Sequence, residues 1–129
     1  MKGITMSKNH KKSKTTISSF ALSVKPVPAG KVSLAEFVGS EAGQLAVRTA
    51  VELDHSEKAF AILCAYQTYE ICNELELAGR FELLENEAFQ DHMVNWVESI
   101  VRENFIEMLM AVGGQLSNLL AEAEEKGGV

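Results

Sequence analysis

The chain has 129 residues, of which 47% are hydrophobic and 23% charged, and its formal net charge is −6. This length suits one domain and not comfortably two, and the composition is ordinary for a soluble globular protein. No stretch approaches the roughly 20 consecutive apolar residues of a transmembrane helix, so we expect no membrane-spanning segment.

The charges are divided unevenly along the chain. Residues 1–31 hold seven lysines and no acidic residue. Five of the 12 basic residues therefore remain for residues 32–129, against all 18 acidic ones, which leaves that part with a net charge of −13. A basic arm on an acidic body is either a solubilising arrangement or a means of finding an anionic partner through the arm.

The basic arm, residues 1–31, is predicted to be flexible. Residues 1–16 lack the large apolar side chains that would offset the entropy of ordering. Apolar residues alternate with small ones over residues 20–24, which favours a short strand or an extended arm that docks on a partner. The prolines and glycine of residues 25–30 indicate a linker. We expect the arm to contact its partner through Lys8, Lys11, Lys12, Lys14 and Phe20.

The acidic body, residues 32–129, begins with a helix start signal. Ser33 and Glu36 form a capping box, and apolar residues then recur on one broad helical face as far as residue 53. Gly39 and Gly43 interrupt this pattern. They indicate either a turn between two short helices or a point where another helix approaches closely.

Two longer helices are predicted to follow. Residues 54–57 form a second start signal, and the uncharged run 59–66 indicates a buried central helix that ends near Gly79. Asn86 marks the start of a last helix, which the glycines at 113–114 are expected to break or kink. Short connections favour an all-α fold, a small antiparallel bundle of three to four helices behind the extended basic arm.

Motifs for catalysis or metal binding are sparse, and we predict no enzyme, cofactor or metal site. Glu52 and His55 have the spacing of two metal ligands, but di-iron bundles use this motif twice and here it occurs once. His92 follows an aspartate, yet adjacent helical residues do not face one another. Cys64 and Cys72 would lie about 12 Å apart on a helix, which indicates free thiols in a reducing, cytoplasmic compartment.

Residues 34–53 also have the pattern of a helix-turn-helix unit: a short helix, a glycine turn and a second helix. Gln44, Arg48 and Thr49 would lie on the outer face of the second helix, where they could contact base edges. A single arginine between two glutamates neutralises little phosphate, so the lysines of the arm would have to supply most of the positive charge.

A second candidate contact surface lies in the last long helix. Every residue from 105 to 112 except Glu107 is apolar. A helix at the edge of a small bundle does not bury its whole circumference within one chain. This stretch therefore either forms a self-association or docking surface, or occupies the centre of the bundle. The residues that we assign to this surface are Phe105, Met108, Leu109 and Met110.

These features favour a non-enzymatic regulatory or accessory protein, homo-oligomeric and cytoplasmic, that binds a protein partner through its acidic helical body. One version is an inhibitor that mimics nucleic acid by presenting carboxylates where phosphates normally lie. The alternative is a small DNA- or RNA-binding regulator that uses the basic arm and residues 34–53. A third hypothesis, an enzyme or cofactor carrier that uses His55 or His92, lacks a supporting motif.

Overall fold

The structure, a computed structural model, describes residues 23–127 apart from the side chains at positions 55, 56 and 127. These residues form five helices and no strand, so the predicted all-α fold is confirmed. The helices are α1 (Leu34–Gly39), α2 (Glu41–Ala50), α3 (His55–Leu77), α4 (Phe81–Leu84) and α5 (Glu87–Gly127). The first 22 residues lie outside the described part, so the flexibility of the arm stays a prediction.

The helix boundaries follow the predicted capping residues. Ser33 Oγ accepts a hydrogen bond from the N–H of Glu36 at 3.1 Å, and Asn86 Oδ1 accepts one from Phe89 at 2.9 Å. These bonds satisfy N–H groups that the first turn of a helix leaves unpaired. After α3, Gly79 adopts a φ of 72°. This left-handed conformation lets two N–H groups donate back to carbonyls of the last turn of α3, at 3.0 and 2.8 Å.

The turn between α1 and α2 is built on Ser40, which ends one helix and begins the next. Its hydroxyl donates to the carbonyl of Phe37 at 2.6 Å and accepts from the N–H of Gly43 at 3.0 Å. A Cβ atom at Gly43 would collide with the carbonyl oxygen of Phe37. Both predicted roles of the glycines are therefore present, since the chain turns after Gly39 and α1 lies against Gly43.

α3 is the central helix, because it packs against both α2 and α5. The ring of Phe37 in α1 stacks on Tyr66 of α3 with centroids 5.4 Å apart, and its edge meets Tyr69 at 5.5 Å. Buried apolar residues from four helices form one core, whereas α4 contributes none that is fully buried. The largest apolar members of this core are Phe37, Ile62, Leu63, Tyr66, Ile71, Leu75, Phe89 and Met108.

α5 bends at Asn104, and the predicted break at residues 113–114 is wrong. Asn104 has φ −115° and ψ 15°, and its side-chain Nδ2 donates to the carbonyl of Ile100 at 2.8 Å. A side chain that takes a carbonyl of the preceding turn commonly bends a helix. The helix continues through both glycines because Val112 and Leu116 are buried on either side. That burial offsets the helix propensity cost of about 1 kcal/mol per glycine.

The last residues of the predicted arm pack against α3. Val27 in the arm and Val32, the first residue of the acidic body, are buried and belong to the core, whereas the side chains of Lys25 and Lys31 are exposed. The predicted linker, residues 25–30, therefore has one side chain in the core. Sequence patterns miss this contact because a single valine between two prolines has no periodicity. The peptide bond between residues 27 and 28 is cis.

Candidate functional site

The residues assigned to self-association lie in very different environments. Met108 is buried in the core, and Phe105 and Leu109 are half-buried, with Phe105 packed on a phenylalanine of α3 at 6.1 Å. Met110 is 82% exposed. Ile106, one turn earlier, is 67% exposed, and sequence reasoning did not single it out. The outer face of α5 thus offers two adjacent apolar side chains for contact, and self-association through them stays a prediction.

The residues assigned to base recognition, Gln44, Arg48 and Thr49, are all exposed on α2. Gln44 and Arg48 line an open groove of about 890 Å³ between α2 and residues 119–126 of α5. Valines contribute to its lining, and α5 adds two glutamates and one lysine. With Glu52 also at this groove, the acidic side chains oppose phosphate binding rather than assist it.

The arm residues assigned to partner binding lie outside the described part of the chain. They are Lys8, Lys11, Lys12, Lys14 and Phe20. The described end of the same lysine-rich segment runs along α3, and its last lysine, Lys31, has its Nζ atom 4.0 Å from Oε1 of Glu74. This contact links the basic segment to the acidic surface described next.

Seven of the 18 acidic residues of the chain lie within residues 70–91, together with one basic residue, Arg80. This stretch comprises the end of α3, all of α4 and the start of α5, which meet at one corner of the fold. We call this surface the acidic corner: Glu74, Glu76, Leu77, Arg80, Phe81, Glu82, Glu85, Glu87 and Asp91. All of its carboxylates are exposed except that of Glu74, which is half-exposed.

Few cations offset the charge of the acidic corner. Arg80 Nε donates to Oε2 of Glu82 at 2.7 Å, and Lys31 approaches Glu74 from the edge. The hydrogen bond from Arg80 holds the pKa of Glu82 below its ordinary value. Within residues 23–127 the other carboxylates of the corner take part in no ion pair. The corner is therefore a surface of negative potential at neutral pH.

Two large apolar side chains stand among these carboxylates. Leu77 is 71% exposed at the end of α3, and Phe81 is 56% exposed at the start of α4. The left-handed turn at Gly79 lies between them, where α3 ends and α4 begins. Exposed aromatic and aliphatic side chains inside a charged rim are typical of protein-binding surfaces.

Sequence reasoning partly missed this surface. The density of acidic residues within 70–91 is readable from the sequence, and it would have pointed to this region. The exposure of Leu77 and Phe81 is not readable in the same way, because a single leucine outside the apolar face of its helix and the first residue of the short apolar run 81–84 do not show whether another helix covers them. Their exposure depends on which helices pack beside them.

Buried side chains of α3 hold residues 27–32 by their backbone. Oε1 of Gln67 accepts the N–H of Val27 at 2.9 Å. The carboxylate of Glu70 accepts the N–H groups of Lys31 and Val32, each at 3.1 Å. Both polar side chains are buried in the core region, where such bonds satisfy groups that would otherwise be costly to bury. Nε2 of Gln67 has no hydrogen-bond partner among the described residues.

Tyr66 completes this arrangement, and we call the three side chains Tyr66, Gln67 and Glu70 the clasp. The hydroxyl of Tyr66 donates to the carbonyl of Val32 at 2.7 Å. Burial, with smaller contributions from the charges of Glu70 and Glu36, raises the pKa of Tyr66 to about 12. The phenol is therefore neutral and able to donate throughout the physiological range. The clasp fixes the root of the basic arm on α3.

Among the described side chains, His92 and the two cysteines do not assemble into a further site. His92 is exposed, with its ring 6.3 Å from that of Trp96. Burial raises the pKa of Cys64 to about 11 and also raises the pKa of Cys72, so both thiols stay protonated and poorly nucleophilic at neutral pH. Within the described ranges, no three or more His, Cys, Asp and Glu side chains are grouped to hold a metal ion.

Comparison with models of known protein families, with curated protein sequences and with solved structures finds no match in any of the three. No helix within residues 23–127 is both long and apolar enough to cross a membrane.

Proposed function

We propose that this chain is a non-enzymatic accessory protein that binds a basic segment of a protein partner on its acidic corner. The observation that carries the proposal is the combination at one corner of two exposed apolar side chains, Leu77 and Phe81, with carboxylates that few cations neutralise. Such a surface suits a partner segment that carries lysines or arginines around a bulky apolar side chain.

The two kinds of side chain contribute differently to binding. Buried aromatic anchors supply much of the affinity of a protein interface, and Phe81 is available for that role, with Leu77 adding apolar area. The surrounding carboxylates attract a basic partner from a distance and disfavour an acidic one. The proposal therefore predicts an affinity that decreases with salt but does not vanish at high salt, because the apolar contact persists.

A regulatory effect follows if the basic segment of the partner is itself used to bind nucleic acid. The acidic corner would then occupy the surface that phosphates otherwise reach, which is the inhibitor version of the hypothesis. The exposed carboxylates of Glu76, Glu82 and Glu85 support this version. The alternative, a nucleic-acid-binding regulator, is supported by the lysines of the arm and by the exposure of Arg48, but the glutamates beside Arg48 weigh against it.

Affinity capture with matched variants tests the proposal. The full-length chain, the corner variant E76Q/E82Q/E85Q and the control variant E103Q/E107Q/E125Q are compared on a lysate of the native cells, each with and without nuclease. Both variants lose three exposed glutamates, but those of the control lie along α5 away from the corner. We expect the same proteins to be retained by the full-length chain and the control, and lost by the corner variant.

Two outcomes would contradict the proposal. If the corner variant retains the same proteins as the full-length chain, the acidic corner does not bind them. Loss of retention after nuclease treatment would instead favour the nucleic-acid-binding alternative, because the retained proteins would then be bridged by nucleic acid.

A further inference from the structure

We infer that the acidic corner is covered in the free protein by the chain's own N-terminal segment, residues 1–22, which a partner must displace. The docking of residues 1–22 does not depend on the proposed function, whereas their displacement by a partner rests on it. The inference depends on where the segment is anchored, how far it reaches and what chemistry it carries.

The anchor point is defined by the clasp. Val27 is bound to Gln67, and Lys31 and Val32 are bound to Glu70. Leu77 lies ten residues beyond Gln67 on the same helix, a distance of about 15 Å along its axis. Val27 therefore lies about three turns of helix from the centre of the acidic corner, and Val24, which packs against the core, is held just before the N-terminal segment.

The segment is long enough to cover that distance. Val24 packs against the core, and a chain spans up to about 3.3 Å per residue, so the seven residues from Ile17 to Val24 reach about 23 Å. Lys8 to Lys14 lie further from the anchor and have a correspondingly longer reach. One lysine of the same basic arm already lies at the edge of the corner, since Nζ of Lys31 is 4.0 Å from Glu74.

The chemistry of the segment complements that of the corner. Residues 1–22 contain five lysines and no acid, and their large apolar side chains include Ile17, Phe20 and Leu22. The corner presents carboxylates around Leu77 and Phe81 with Arg80 as the one basic residue between 70 and 91. Lysines would pair with glutamates while Ile17, seven residues from Val24, would lie against Leu77 and Phe81.

A segment of the same chain has an advantage over a second copy. Tethering gives effective concentrations on the order of millimolar, well above the concentration of free copies in dilute solution. Docking within one chain is therefore expected to dominate over exchange between chains. A partner then binds only the uncovered fraction, so its apparent affinity is reduced by the fraction of molecules in which the corner is covered.

Zero-length coupling of lysines to carboxylates in the full-length chain tests the docking. A mixture of isotope-labelled and unlabelled chain is treated with a carbodiimide at low concentration, digested and analysed by mass spectrometry. We expect Lys8, Lys11, Lys12 and Lys14 to couple to Glu76, Glu82 and Glu85, in peptides that carry one isotopic label only. Couplings of the same lysines to Glu103, Glu107 and Glu125, which are exposed along α5 away from the corner, should be much weaker.

Three results would overturn the inference. Couplings spread evenly over exposed carboxylates on all faces would show no preferred docking, and products that combine both labels would show contact between chains. The third result concerns displacement. We expect the variant K8S/K11S/K12S/K14S to retain several-fold more partner in lysate capture than the natural chain. Unchanged retention of partner by this variant would overturn displacement, even if the couplings persist. If the natural chain captures no partner while the couplings persist, the result counts against the proposed function alone.

Discussion

Glu70, in the middle of α3, accepts a hydrogen bond from the backbone N–H of Val32, 38 residues earlier in the chain, at 3.1 Å. The same carboxylate accepts the N–H of Lys31, so one buried side chain satisfies two consecutive backbone donors. Gly30 allows this approach, because a Cβ atom there would lie 2.7 Å from Oε1 of Glu70. A segment with no secondary structure is thereby fixed to the central helix.

Replacing Glu70 is expected to destabilise the fold and to release the root of the arm. Glu70→Ala leaves two N–H groups without an acceptor, at a cost of about 1–3 kcal/mol for each buried group. Urea denaturation should show this loss, and hydrogen exchange should accelerate at Lys31 and Val32. Glu76→Ala, an exposed glutamate on the same helix, is the control and should change the stability by less than about 0.5 kcal/mol. Equal stability of the two variants would contradict the assigned role of Glu70.

The glycines of the chain are expected to respond in opposite directions to alanine. Gly43→Ala places a Cβ atom against the carbonyl oxygen of Phe37, so α1 and α2 must separate and the free energy of unfolding should fall. Gly114→Ala lies within α5, where a Cβ atom meets nothing within 4 Å, and should raise the free energy of unfolding by about 0.5–1 kcal/mol. Thermal unfolding of the two variants checks both signs, and a stabilised Gly43→Ala would refute the close packing of α1 on α2.

The clasp predicts a loss of stability at alkaline pH. The pKa of Tyr66 is raised from 10.0 to about 12, so the fold favours the neutral phenol. This contribution is complete below pH 10 and is lost as the pH rises from 10 to about 12, because the unfolded chain ionises first. Tyr66→Phe removes both the hydrogen bond to Val32 and the ionisation. The difference in unfolding free energy between the natural chain and this variant should therefore narrow over that range.

The ionisation of Cys64 does not affect the difference in unfolding free energy, since the natural chain and Tyr66→Phe both contain this thiol. Urea denaturation at a series of pH values gives the difference directly. Parallel curves for the natural chain and Tyr66→Phe would contradict the burial of the phenol as the cause of its raised pKa.

Phe81 is expected to matter for binding more than for folding. Its side chain is 56% exposed, so Phe81→Ser should cost little stability but should sharply reduce the retention of partner in lysate capture. Val94→Ser is a matched control, because Val94 is 57% exposed on α5 and lies outside the acidic corner. Similar midpoints of thermal unfolding for the two variants, with loss of partner in one, would support the proposed function. Equal retention would refute the role of Phe81 as an anchor.

Local features of the fold were predictable because their causes lie within a few residues. Ser33 and Asn86 cap helices through N–H groups three residues ahead, and Gly79 ends α3 through bonds within the same turn. The segregation of lysines before residue 32 and of acids after it is likewise a property of the sequence. These local signals were sufficient for the all-α class and for most helix boundaries.

The tertiary structure alone decided the clasp and the exposed anchors. Gln67 binds the backbone 40 residues away, and no sequence pattern marks a polar residue of a central helix as the acceptor for a distant segment. Leu77 and Phe81 carry the same apolar signal as buried residues, and they are exposed because no helix packs over that corner within the described chain. Burial depends on which surfaces meet after the chain has folded, whereas caps and turns depend on neighbours along the chain.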